Sequence, residues 1–169
     1  MNSKPFVPVY ASEWLNVDTS DYRVFLSGKA LLIHSFQMLC PGCVYHSLPQ
    51  LASVRKVYSE DQLSIVGLHS VFEHHDAMTP TALKAFVSEM GITYPVAIDA
   101  ASDGPVPKTM AHYNLQGTPS MLIFSADGSL IVQHFGRLSD MQLSAFITQA
   151  IWSDNKTIIQ RSATQGCSI

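Results

Sequence analysis

The sequence predicts an α/β fold, in which helices flank both faces of a central mixed β-sheet. Short apolar runs alternate with amphipathic segments along the chain, a pattern typical of parallel strands joined by helices. Two later apolar runs flank Asp127-Gly128, a turn signal that indicates an antiparallel hairpin. The length of 169 residues suits one domain. We expect this domain over residues 1–153, with an N-terminal extension at 1–28 and a C-terminal tail at 154–169.

Five strands are predicted from apolar runs. Residues 1–28 show no regular periodicity and are expected to be irregular. Buried strands are expected at 30–36, 63–68 and 94–98, because each run is short and mostly apolar. The two hairpin strands are expected at 120–124 and 130–135. Strands joined by helices are expected to pair in parallel, and the hairpin adds antiparallel strands.

Four helices are predicted from capping and breaking residues. The first begins at Cys40-Pro41, since proline is favoured at the first helical position, and Pro49 is expected to kink it. The second begins at Thr79-Pro80 and ends at Gly91. A short helix is expected at 106–113. Ser139 and Gln142 form a capping box for the last helix.

Charged side chains are sparse. Lys and Arg number 10 against 13 Asp and Glu, and charged residues make up 14% of the chain, where about 25% is usual. No basic cluster is present, so we expect no nucleic-acid partner. No apolar run approaches about 18 residues, so we expect no membrane partner. The sparse charge favours a covering partner or a homodimer. The chain start lacks the apolar core of a secretory signal, which predicts a cytoplasmic protein unless a leader has been removed.

The most informative motif is Cys40-Pro41-Gly42-Cys43, where a strand becomes a helix. Residues three apart in a first helical turn lie about 5–6 Å apart at Cα, within disulfide range. The N-terminus of the helix favours a thiolate at Cys40, which predicts this residue as the nucleophile. Cys43, one turn deeper, is predicted to break a mixed disulfide at Cys40. The pair therefore predicts a redox-active disulfide that needs no other cofactor and no metal.

Two other functions remain open from the residues alone. The same dithiol, with loop histidines at His69, His74 or His75, has the donor types of a zinc or copper site, although a second Cys-x-x-Cys pair is absent from the sequence. An interaction module without turnover is the third alternative. Cys167 is expected to be a free thiol or to form an intermolecular bridge.

Two segments resemble a known family. Residues 31–43 resemble the active-site segment of thioredoxin-like proteins, and residues 116–124 with Asp127-Gly128 resemble their cis-proline strand and hairpin. The segment between them is similar to the insertion of the TlpA/ResA-like and redoxin branch. The resemblance spans about residues 12–152. It implies a thioredoxin-like fold and a thiol-disulfide oxidoreductase that acts on protein or low-molecular-weight disulfides or dithiols.

The resemblance also implies roles for individual residues. Cys40 matches the nucleophile and Cys43 the resolving thiol. Pro119 matches the cis-proline, and the backbone of Thr118 before it is expected to bind a substrate strand. Leu39 stands where the family commonly has Trp.

Three histidines are candidates for a proton relay or for the rim of the site. His34 stands where an acidic or amide residue is common in the family, and is expected either to accept the proton of Cys43 or to be a core histidine. His46 stands where a Glu is common in the TlpA-like branch, and is expected to raise the local positive potential or to lie at the surface. His69 ends the second strand, so its loop is expected to reach the same sheet edge as Cys40.

Overall fold

A computed structural model describes residues 7–17 and 28–153. Over these residues the chain forms a six-stranded sheet, one π-helical turn and four α-helices. In chain order these are β1 Ala11–Leu15, β2 Ala30–Phe36, the π-helical turn Cys43–Ser47, α1 Leu48–Val57, β3 Leu63–His69, α2 Pro80–Glu89, β4 Val96–Asp99, α3 Lys108–His112, β5 Ser120–Phe124, β6 Leu130–Phe135 and α4 Asp140–Trp152. The predicted C-terminal tail, with Cys167, lies outside the described residues.

The sheet is mixed, as the sequence predicts. Its strand order is β1-β4-β3-β2-β5-β6. The three central strands β2, β3 and β4 pair in parallel, and β5, β6 and β1 add antiparallel strands. The predicted hairpin is confirmed with both strands at the expected residues. Because β2 and β3 are parallel, the residues that follow both strands meet at one edge of the sheet, where the cysteine pair lies.

The prediction that residues 1–28 are irregular is wrong for residues 11–15. These residues form β1, which pairs antiparallel with β4 and completes the sheet at that edge. Each β1 residue is only partly buried or exposed, so the segment lacks the apolar alternation that identifies a strand. The strand forms because it satisfies the backbone groups of β4, which would otherwise be an open edge. Glu13 of β1 also pairs with Lys84 of α2 at 2.7 Å.

The helix after Cys40 is irregular in its first turns. Helical backbone begins at Pro41, and residues Cys43–Ser47 widen into a π-helical turn, in which the Leu48 amide donates to the Cys43 carbonyl. Pro49 has no amide hydrogen to continue the regular ladder, and the wide turn lies immediately before it. The kink at Pro49 stays a prediction, and the structure shows a π-helical turn at Cys43–Ser47 ahead of the proline.

Helices pack on both faces of the sheet, as expected. Helices α1, α2 and α4 cover one face, and α3 covers the other together with residues Val7 and Val9. The predicted caps are confirmed: the Thr79 hydroxyl accepts from the Ala82 amide, and Ser139 and Gln142 form the capping box of α4. In the described part of the chain, none of the helices has the length and apolar content needed to cross a bilayer.

Candidate active site

The two cysteines lie together at the start of the helix that follows β2. The carbonyl of Cys40 accepts from the Cys43 and Val44 amides at 3.0 Å each, which begins the helix. Cys40 is partly exposed and Cys43 is fully buried, and both are free thiols. The Cys40 thiol donates to the Thr118 carbonyl at 3.4 Å. One sulfur is therefore accessible to a substrate, and the other lies behind it in the core.

Burial separates the two thiols chemically. Burial, together with a hydrogen bond with the Cys40 side chain, raises the pKa of Cys43 to about 12. The folded protein therefore holds Cys43 as a neutral thiol at physiological pH. The hydrogen bond also places the two sulfurs side by side. This arrangement suits an accessible attacking sulfur and a protected resolving sulfur.

The peptide bond between Thr118 and Pro119 is cis, the geometry that the resemblance implies. Pro119 packs directly on the dithiol turn: a Cβ atom at Gly42 would lie 3.2 Å from Pro119 Cδ and 3.9 Å from Cys40 Sγ. Gly42 therefore allows the proline to approach the pair closely. Thr118 is half-buried beside Cys40. The structure therefore brings together four of the predicted site residues: Cys40, Cys43, Thr118 and Pro119.

The end of β6 supports the cis-proline loop. The Gly136 amide donates to the Pro119 carbonyl at 2.8 Å, and the Ser120 hydroxyl donates to the Gly117 carbonyl at 2.7 Å. A Cβ atom at Gly117 would lie 2.9 Å from Cε2 of Phe135, so the phenyl ring covers the bare backbone of this glycine. The sequence analysis missed this support. The hairpin register pairs Ser120 with Phe135, and this pairing is the signal that places the end of β6 beside the cis-proline loop.

His34 is a fully buried core histidine under the helix of the cysteines. Its Nε2 atom lies 2.9 Å from the Ser47 hydroxyl oxygen. That oxygen lies 3.3 Å from the Cys43 carbonyl oxygen and 3.4 Å from the Gly42 carbonyl oxygen. Both carbonyls accept only, so the hydroxyl donates to one of them and accepts from Nε2–H. Burial lowers the pKa of His34 to about 3, which keeps the ring neutral. Nδ1 is then unprotonated, with no hydrogen-bond partner among the described residues.

This geometry bears on the predicted role of His34 as a proton acceptor. Burial lowers the pKa of His34 and raises the pKa of Cys43, so a transfer from the thiol to the ring is strongly uphill. The histidine instead contacts the Ser47 hydroxyl, which lies 3.3 Å from the Cys43 carbonyl within the π-helical turn. Ser47 was missed by the sequence analysis, although it is a polar residue one helical turn beyond Cys43 on the buried side.

The other candidate histidines differ in burial. His46 is exposed on the helix surface. His69 is buried, with its ring 5.3 Å from that of Phe36, and burial lowers its pKa to about 4. It therefore lies in the core and not on an open rim. The loop histidines His74 and His75 are exposed beyond it. Within residues 7–17 and 28–153, no group of three His, Cys, Asp or Glu side chains is placed to hold a metal ion.

A buried polar chain links the three parallel strands near the same edge. The Ser35 hydroxyl donates to Ser70, and Ser70 donates to the Asp99 carboxylate at 3.0 Å. Asp99 also accepts from the amides of Thr109 and Met110 at the start of α3. Burial raises the pKa of Asp99, and these hydrogen bonds oppose that effect. This network of hydrogen bonds connects the carboxyl ends of β2, β3 and β4 at the edge of the sheet where the site lies.

Comparison with known proteins agrees with this description. The chain is 44% identical to a thioredoxin-like superfamily protein of known crystal structure, over 88% of this chain and 95% of that one, with a TM-score of 0.81. It is 39% identical to a thiol-disulfide isomerase from Corynebacterium glutamicum, over 89% of this chain and 98% of that one, also with a TM-score of 0.81. Among curated proteins, thiol-disulfide oxidoreductase ResA of Bacillus thuringiensis (strain Al Hakam) is 25% identical over 122 residues, which is 72% of this chain and 64% of ResA.

Fold and site together define a protein with a dithiol at a helix N-terminus opposite a cis-proline. This chain belongs to the thioredoxin-like superfamily, and its relatives include thiol-disulfide oxidoreductases. No family model matches the chain. The chain spans between 13% and 64% of the curated relatives first matched, so it corresponds to only part of those proteins.

Proposed function

We propose that this chain is a thiol-disulfide oxidoreductase that exchanges electrons through Cys40 and Cys43. The observation that carries the proposal is that the thiol of the partly exposed Cys40 contacts the Thr118 carbonyl, while Cys43 is fully buried. Cys40 reacts with the substrate. The buried Cys43 reacts only with the mixed disulfide that Cys40 has formed with the substrate. The reaction needs no group beyond the two thiols.

The steps follow from this placement. The Cys40 thiolate attacks one sulfur of a substrate disulfide, which forms a mixed disulfide and releases the first substrate thiolate. Cys43 then attacks the Cys40 sulfur, the Cys40–Cys43 disulfide forms, and the second substrate thiolate leaves. The Cys43 proton passes to the departing thiolate or to solvent, since burial makes His34 a poor acceptor. The substrate gains two electrons and two protons, and the dithiol loses both.

A trapping experiment tests the proposal. In a Cys43→Ser variant the mixed disulfide at Cys40 is expected to accumulate, because the resolving sulfur is absent. Incubation with a peptide disulfide, followed by non-reducing mass spectrometry, measures the adduct. A Cys40→Ser variant is the matched control and is expected to form no adduct at position 40. Absence of any adduct on the Cys43→Ser variant, while the wild type reduces the same peptide, contradicts the proposal.

The metal-binding alternative uses the same thiols. It has no third ligand placed beside them in the described part of the chain. Elemental analysis of freshly purified full-length chain discriminates between the two functions. Stoichiometric zinc or copper that is lost in a Cys40→Ala, Cys43→Ala variant would favour the metal site.

A further inference from the structure

Strand β6 forms one outer edge of the sheet, and its pairing with β5 determines which backbone groups face outward. The Gly136 amide donates to the Pro119 carbonyl. This bond flanks the pair of Ser120 with Phe135, so these two residues do not bond to each other's backbone. Such pairs alternate along an antiparallel ladder, so Gln133 is in the same position as Phe135. The amides and carbonyls of Gln133 and Phe135 therefore point away from β5, beyond the sheet.

These four outward groups are open to a new strand. Within the part of the chain that the structure describes, none of them has a hydrogen-bond partner. The side chain of Gln133 does not cover them, because it donates to the Tyr113 carbonyl at 2.9 Å. The pairing with β5 is regular from Val132 to Phe135, and the one extra residue, Ile131, lies before this stretch. A regular, unpaired edge of this kind is a template for another strand.

The two edges of the sheet differ in protection. Edge strands usually carry a charge, a proline or an irregularity that prevents further pairing. At the opposite edge, Glu13 of β1 pairs with Lys84, and the register with β4 shifts beside Glu13. By contrast, residues 128–136 contain no Asp, Glu, Lys, Arg or Pro. Leu130 and Phe135 of β6 are also 47% and 52% exposed. The β6 edge is therefore neutral and partly apolar.

We propose that β6 pairs antiparallel with β6 of a second copy of this chain, about a two-fold axis at His134. In this register Gln133 of each copy lies opposite Phe135 of the other. Each of these two pairs exchanges both of its backbone hydrogen bonds, so the four outward groups of each strand are all satisfied. The register uses only the regular stretch of β6 and leaves the extra residue Ile131 outside the contact.

The lack of charge favours a second copy as the occupant. A two-fold axis brings a strand against its own sequence, so any charge on it would lie close to its equivalent. Because residues 128–136 carry no acidic or basic side chain, apart from the histidine at the axis, this repulsion is absent. The half-exposed ring of Phe135 lies beside Gln133 of the second copy and loses contact with water. The edge is therefore complementary to itself.

The pairing leaves both dithiols accessible. Strands β2 and β6 run in the same direction, since each is antiparallel to β5. The β6 strands of the two copies run in opposite directions, so the two cysteine pairs lie at opposite ends of the strands in one continuous sheet. The interface is thus independent of the proposed thiol exchange, and each can be tested without the other.

Sedimentation velocity on the full-length chain, with a reductant present to prevent disulfide cross-links, tests the pairing. At high concentration we expect a species of twice the mass of one chain. It is expected to dissociate on about hundredfold dilution, because edge pairing alone gives a small interface. Amide hydrogen exchange is the second measurement. The Gln133 and Phe135 amides are expected to exchange more slowly in the dimer, whereas the His134 amide, which faces β5, is expected to be unchanged.

Substitutions at the axis test the register. His134→Glu and His134→Lys each place like charges directly opposite each other, and each is expected to raise the dissociation constant about tenfold. An equal mixture of the two variants is expected to restore the dimer, since the opposed charges then attract. His134→Gln is the neutral control and is expected to keep the dimer. Met141→Glu, at a residue of α4 that is 85% exposed, is the control for a different apolar surface and is also expected to keep it.

The outcomes separate edge pairing from other modes of association. A chain that stays monomeric at every concentration overturns the proposal. So does a dimer in which the Gln133 and Phe135 amides exchange as fast as in the monomer, or one that Met141→Glu dissociates. Failure of the mixed His134→Glu and His134→Lys chains to associate overturns the register. Reduction of a peptide disulfide is expected at the wild-type rate in His134→Glu, so loss of the dimer and loss of the thiol exchange are distinguishable.

Discussion

Acidification from pH 7 to pH 5 is expected to lower the free energy of unfolding by about 4 kcal/mol, because two histidines are buried in their neutral form. Both His34 and His69 have an ordinary pKa of 6.5, which burial lowers to about 3 and about 4 in the folded protein. Below pH 6.5 the unfolded chain therefore binds protons that the folded chain does not. The stabilising contribution is complete above pH 6.5 and is lost as the pH falls toward the folded values.

The magnitude follows from the two shifts. At pH 5 the unfolded histidines lie about 1.5 pH units below their pKa, and each unit corresponds to about 1.4 kcal/mol. Each histidine thus contributes about 2 kcal/mol of destabilisation at pH 5, against a usual total stability of about 5–15 kcal/mol. Asp99 acts in the opposite direction, since burial raises its pKa and its protonation favours the folded state.

Urea unfolding at pH 7, 6 and 5 measures this dependence on the wild type and on three variants. His34→Gln and His69→Asn each replace a titrating ring by a neutral amide, and each is expected to remove about half of the change with pH. His46→Gln replaces an exposed histidine and is the matched control for the two substitutions. The contribution of Asp99 is common to all of them and cancels in the comparison. An identical pH dependence in the wild type and in a His34→Gln, His69→Asn double variant would refute the reasoning.

Three further predictions concern the site. Iodoacetamide at pH 8 is expected to modify Cys40 and to spare Cys43, because burial raises the pKa of Cys43 to about 12; equal labelling of the two thiols in peptide mass spectrometry would contradict this. Ser47→Ala is expected to lower the free energy of unfolding by about 1–3 kcal/mol, since it leaves the Nε2 hydrogen of His34 without an acceptor. Ser53→Ala, which removes an exposed hydroxyl bonded to the Pro49 carbonyl, is its control, and a loss of the same size there would count against the assignment. Gly117→Ala is expected to slow disulfide exchange by pushing a methyl group into the ring of Phe135, and Phe135→Ala added to it is expected to recover the rate; stopped-flow kinetics that show no recovery would sink this explanation.

The parts of the fold with strong local signals could be predicted from the sequence. The run from Ala30 to Phe36 is uniformly buried, and the capping box at Ser139 is a local pattern that needs no tertiary information. Strand β1 could not be predicted in this way, because its residues form a strand only when β4 offers an open edge. Its stability belongs to the assembled sheet and not to its own composition.

The same division applies to the site. The cysteine pair and the cis-proline are recognisable from short motifs, and their proximity follows from the fold. The burial of His69 could not be predicted, since it depends on how the ring meets Phe36. Likewise, the link between His34 and Ser47 depends on the widened helical turn, whose geometry places the hydroxyl between the ring and the Cys43 carbonyl. Local patterns identified the reacting atoms, whereas the atoms that position them required the three-dimensional structure.

The hydrogen bond between the Cys40 thiol and the Thr118 carbonyl spans 78 residues of sequence. During synthesis the two thiols therefore leave the ribosome well before the segment that flanks them, roughly 4–16 s earlier at about 5–20 residues per second. Over that interval the nascent chain carries both sulfurs without their binding groove. Its thiols then meet the redox buffer of the compartment as ordinary cysteines, and their specific reactivity begins only when β5 pairs with β2.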